Sequence, residues 1–155
     1  MKTLKILLLS LVLGFSLLGC DESMEPKTWI ENTNRFRNSA MYQKDNIPYR
    51  ATQHQVLKNY FTELGKMALY LKNSESLVEQ FNETFEEGNI SQICSKLFIK
   101  KTDWDSIVNN CTKNRFFLCA EEVRAYSEII SSLRGKLNPG LQRKFNSTES
   151  CKTAF

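Results

Sequence analysis

Between Thr52 and Leu71 the apolar residues Val56, Leu57, Tyr60, Phe61, Leu64, Met67, Ala68 and Leu71 recur at steps of three and four. That spacing puts them on one face of a helix. A second helix is predicted over Ser76 to Glu87, where Ser76 and Glu79 form a capping box, Leu77, Val78, Phe81 and Phe85 form the stripe, and Gly88 ends it. Ile90, Ile93, Cys94 and Leu97 predict a short third helix, and Asp103 is placed to cap a fourth carrying Trp104, Ile107, Val108 and Cys111. A long helix follows from Phe116 to Leu137, with Cys119, Val123, Tyr126, Ile130 and Leu133 inward and Pro139 and Gly140 closing it. One more runs from Thr28 to Ala40 on a stripe of Ile30, Phe36 and Ala40, with Trp29 beside it. No stretch alternates apolar and polar residues, so the fold class is all-α, a small bundle of four to six helices.

The first twenty residues break this pattern. Lys2 and Lys5 precede a largely apolar run of 13 residues from Ile6 to Leu18, including Ser10, Gly14 and Ser16, then come Gly19 and Cys20. A basic start, a short apolar core and a small residue make a signal peptide, and the run falls short of the roughly 20 residues a membrane-spanning helix needs. Leu17, Leu18, Gly19 and Cys20 resemble the lipobox of bacterial lipoproteins. The resemblance covers the targeting segment alone and implies cleavage by signal peptidase II before Cys20, with diacylglycerol and N-acyl (palmitate-type) lipid on that cysteine. It divides the chain into a signal peptide (1–19), the lipidated cysteine and a short tether (20–27), and one helical periplasmic domain (28–155). In enterobacterial lipoproteins Asp after the cysteine resembles an inner-membrane retention signal, and here Asp21 and Glu22 follow Cys20. The expected location is therefore the periplasmic face of the inner membrane in preference to the outer membrane.

Composition adjusts the picture modestly. Without residues 1–19 the chain has 136 residues, enough for one core. The leader's two lysines supply half of the formal charge of +4, so the remainder stands at +2, and basic residues alternate with acidic ones. Nothing here favours nucleic acid. Cys94, Cys111, Cys119 and Cys151 remain after Cys20, and export predicts two disulfides among them. Three connectivities are open; the preferred one joins Cys94 to Cys111 and Cys119 to Cys151, each across a turn between neighbouring antiparallel segments. The cysteines are separated by 16, 7 and 31 residues, without the close pairs of a structural zinc site, so no metal is expected.

Candidate chemistry is sparse. His54 is the only histidine, and no local motif gives it a nucleophile or an orienting acid, so a solvent-facing or cap-region role is expected. Glu121 and Glu122, like Glu86 and Glu87, are adjacent and point about 100° apart on a helix, which does not make a facing dyad. Asn82, Asn89, Asn110 and Asn146 each begin an N-x-[ST] triplet, read as chance in an asparagine-rich chain. Trp29, Phe36, Tyr42, Phe116 and Phe117 are the candidate partner surface. The expectation is a non-catalytic interaction module without cofactor that binds another envelope protein, as an exclusion or immunity factor or as an accessory of a secretion, pilus or conjugation complex. The alternatives are a cell-wall hydrolase using His54, Glu121 or Glu122, and a binder of a small apolar ligand.

Overall fold

A computed structural model describes residues 25–43, 50–116 and 119–154. Cys20, Asp21, Glu22 and Phe117 lie outside the described residues, as do the side chains of Cys119 and Glu122. Among the described residues the structure is all-helical, in eight segments: α1 (Pro26–Gln43), α2 (Ala51–Asn73), α3 (Glu75–Glu87), α4 (Ile90–Leu97), α5 (Lys101–Lys113), α6 (Cys119–Gly135), α7 (Pro139–Ser147) and α8 (Glu149–Lys152).

The expected elements are all present, with shifted boundaries. Ser74, not Ser76, caps α3 by accepting the Leu77 N–H at 3.3 Å. Asp103 sits in the first turn of α5, whose N-cap is Lys100. The long C-terminal helix stops at Gly135, and the turn expected to close it opens another helix instead. Asn138 accepts the Leu141 N–H at 2.9 Å and Pro139 occupies the first turn, where its missing N–H removes only a donor that has no helical partner. Residues 139–152 thus form α7 and α8, and Leu141, Phe145 and Cys151 are buried.

α1 packs along α2, and Trp29 near the start of α1 stacks on Tyr70 near the end of α2 at 5.2 Å. The two helices therefore run antiparallel. α6 lies against α2 and α5, while α4 sits between α1 and the C-terminal α8. That neighbourhood decides the disulfide: Cys94 is bonded to Cys151, Cα to Cα 5.1 Å, not to Cys111. Both members of the expected pairing are overturned together, because the unforeseen α7 and α8 carry the chain end back across α4. A bridge spanning 57 residues removes enough unfolded-chain entropy to contribute about 4 kcal/mol.

The middle of the core is not a helix. Leu97, the last residue of α4, and Phe98 and Ile99, where the chain leaves that helix, are all buried, and buried carbonyls without partners are expensive. Three helices supply the partners. Tyr60 of α2 donates to the Leu97 carbonyl at 2.6 Å, Arg37 of α1 donates through Nε to the Phe98 carbonyl at 2.6 Å, and Tyr126 of α6 donates to the Ile99 carbonyl at 2.9 Å. The Tyr126 hydroxyl also accepts the Ile99 N–H at 2.9 Å. Burial pushes the Tyr126 phenol up to about 12 and raises that of Tyr60 well above its ordinary value, so both remain protonated donors. Trp104 stacks on Tyr126 at 5.0 Å and Phe61 meets both rings edge-on.

Asn82 is a second clip. Its amide donates to the Lys136 carbonyl at 2.9 Å and accepts the Asn138 N–H at 2.7 Å, tying α3 to the α6–α7 turn. An Asn so engaged is unsuited to carry a glycan. Replacing Tyr126 with Phe keeps the ring and leaves the Ile99 N–H and carbonyl buried without partners. We expect a loss of about 2–3 kcal/mol in urea unfolding; an unchanged midpoint would show that the hydroxyl contributes nothing.

Candidate functional site

The antiparallel α1 and α2 give the bundle two ends of different character. The first carries Glu25 and Pro26, where the chain enters α1. There a groove of about 400 Å³ opens between α1, the end of α3 and the start of α4. Its apolar floor is Ile30 and Ile93, and Thr84, Asn89 and Gln92 add polar groups. Two ion pairs bridge its walls in opposite sense: Lys27 of α1 to Glu87 of α3 at 3.6 Å, and Lys96 of α4 to Glu31 of α1. Gly88 forms part of the wall where α3 ends. A Cβ there would come within 2.9 Å of both the Ile93 side chain and the Thr84 carbonyl, so a larger residue has no room.

The opposite end holds the last turn of α1, the first turn of α2 and the end of α5. α5 finishes in a Schellman arrangement: the Arg115 N–H reaches the Thr112 carbonyl at 3.0 Å and the Phe116 N–H reaches the Cys111 carbonyl at 3.1 Å, with Phe116 packed against Cys111. The left-handed position falls on Arg115, at φ 68°, where glycine is the usual residue. Phe116 then stacks on His54, ring centres 5.3 Å apart.

His54 is thus buried, not solvent-facing as its place near a helix start implied. The ring that covers it comes from far along the sequence, and no local pattern announced the contact. Burial holds its pKa below the ordinary value of 6.5, and the Lys58 ammonium one turn on adds to the effect. A histidine held neutral under an aromatic ring is poorly placed to exchange protons with a substrate. Glu121 is exposed on α6.

The four aromatic candidates among the described residues, Trp29, Phe36, Tyr42 and Phe116, do not form one surface. Trp29 is in the core, only 6% exposed, because its ring fills the space between α1 and Tyr70. Phe36 is partly buried against the core, and Phe116 is committed to His54. Tyr42 stands out at 80% exposure in the last turn of α1. Of the candidate partner surface, Tyr42 is the exposed aromatic among the described residues, whereas the groove beside Lys27 had no signal in the sequence, since its walls join three segments. Among the described residues no cluster of three His, Cys, Asp or Glu is arranged to hold a metal, and no helix is long and apolar enough to cross a membrane.

Two outcomes follow from the Arg115 and His54 geometry. Arg115→Gly relieves the left-handed backbone and is expected to raise stability by about 0.5–1 kcal/mol in chemical denaturation; a loss would show that the arginine side chain matters more than its backbone. For His54, the unfolded chain takes up a proton near pH 6.5 while the folded chain resists it, so this contribution to stability is complete above that pH and is lost as pH falls below it. Unfolding midpoints measured from pH 7.5 to 5 should decline in the native protein, and His54→Phe, which keeps the stack, should flatten the decline. Equal slopes in the two proteins would contradict this.

No protein-family model matches the chain, no curated protein matches its sequence, and no solved structure matches its fold.

Proposed function

We propose that the mature chain is a lipid-anchored, non-catalytic interaction module of the bacterial envelope. Cleavage before Cys20 leaves that cysteine acylated, and Asp21 favours the periplasmic face of the inner membrane. Several acyl chains anchor stably, each buried methylene adding about 0.8 kcal/mol. The tether, at about 3.5 Å per residue, holds the domain within roughly 25 Å of the bilayer. The partner is another envelope protein, which the domain serves as an exclusion or immunity factor or as an accessory of a secretion, pilus or conjugation complex.

The observation that carries the interaction reading is Tyr42, an aromatic side chain 80% exposed at the end of the bundle away from the tether. Aromatic residues dominate the energetics of protein interfaces, and a tethered domain presents its far end outward. The burial of His54 under Phe116 weighs against the hydrolase alternative. With Cys94 and Cys151 joined, Cys111 and Cys119 form the second bridge in this reading, closing the turn that Arg115 makes after α5. Non-reducing peptide mapping checks that pair.

The test combines palmitate labelling with crosslinked capture from envelope membranes. The native chain should incorporate label and Cys20→Ser should not. One envelope protein should be captured by the native chain and lost with Tyr42→Ala, provided that the variant's thermal unfolding matches that of the native chain. Capture that is indifferent to Tyr42, or no specific envelope protein at all, would sink the interaction reading; absence of label would sink the anchor.

A further inference from the structure

We propose that the groove between α1, α3 and α4 receives the head group of a zwitterionic aminophospholipid, a primary ammonium and a phosphodiester two carbons apart. The proposal names a ligand for the end of the domain nearest the bilayer, and its lipid source rests on the anchored reading above.

Charge layout is the first argument. α1 contributes a cation, Lys27, at one end of the groove and an anion, Glu31, at the other, and the facing wall answers with Glu87 and Lys96. A ligand carrying both charges finds a complement for each, whereas a purely anionic head group meets two carboxylates along with the two ammonium groups. The side chains of all four residues are 41% to 71% exposed. Exposed pairs of this kind contribute little to folding, so they can exchange partners with a ligand readily. The lining residues include no aromatic ring to receive a quaternary ammonium, while a primary ammonium donates three hydrogen bonds to carboxylates and to the Asn89 and Gln92 carbonyls.

Place and shape are the second. At about 400 Å³ the groove falls in the usual range for small-molecule sites. Ile30 and Ile93, buried beneath the charges, offer an apolar surface to the glycerol and first methylenes. A second hollow of about 220 Å³ shares Lys27, Thr84 and Glu87 with the groove and extends it to Glu25 and Pro26, where the tether joins the domain. The opening therefore leads toward the side from which a bilayer lipid would come.

The decisive experiment uses the oxidised mature chain with Cys20→Ser, titrated with dihexanoyl phosphatidylethanolamine, phosphatidylcholine and phosphatidylglycerol below their micelle concentrations. The methyl signals of Ile30 and Ile93 are the readout. Saturable shifts with the ethanolamine lipid, at least tenfold weaker for the other two, are expected. Glu87→Gln and Lys96→Gln should each weaken binding about fivefold while leaving thermal unfolding unchanged. Equal response to all three lipids, or titrations indifferent to both substitutions, would overturn the proposal. Free phosphoethanolamine binding as tightly as the lipid would overturn the bilayer source. Palmitate labelling of Cys20 is scored separately, so failure of the anchor and failure of the groove are distinguishable.

Discussion

The buried exit from α4, Leu97–Ile99, constrains everything around it. Three consecutive carbonyls in the centre of the core need partners, and each is met by a side chain from a different helix: Tyr60 of α2, Arg37 of α1 and Tyr126 of α6. Apolar packing alone tolerates sliding and rotation of helices over a substantial range. Directional bonds to adjacent residues do not, so the segment fixes the register of three helices against one another. The Cys94–Cys151 bridge lies just before the segment, and the hydrogen bond from the Lys101 N–H to the Thr153 carbonyl at 2.7 Å lies just after it. The chain's end thus closes over its middle.

This arrangement explains which features could be read beforehand. The stripe from Val56 to Leu71 was legible because helical period is local and burial of one face repeats it. Tyr60 and Tyr126 were correctly placed inward, yet their hydroxyls' work was invisible, since the acceptors are backbone carbonyls that no side-chain pattern marks. Asn138, Pro139 and Gly140 carry both a stop and a start signal. The start prevails because Leu141 and Phe145, one turn apart, find a buried site, and that site exists only in three dimensions. The disulfide pairing failed for the same reason: with α7 missed, Cys151 was placed beside the wrong neighbour.

The functional residues divide in the same manner. Tyr42 is exposed at the end of α1, whereas Trp29 is drawn into the core against Tyr70. His54 and Phe116 were noted separately and for different reasons, and only the fold joins them. The groove beside Lys27 gave no sign, because Lys27, Glu87 and Lys96 are ordinary surface charges until three helices bring them together. Sites assembled from distant segments are illegible by composition.

The Cys94–Cys151 bridge does specific structural work. It fastens a four-residue terminal helix, too short to persist by its own backbone bonds, against α4, and so holds the cover over Leu97–Ile99. A chain kept reduced would lose that fastening beside the buried carbonyls that Tyr60, Arg37 and Tyr126 satisfy.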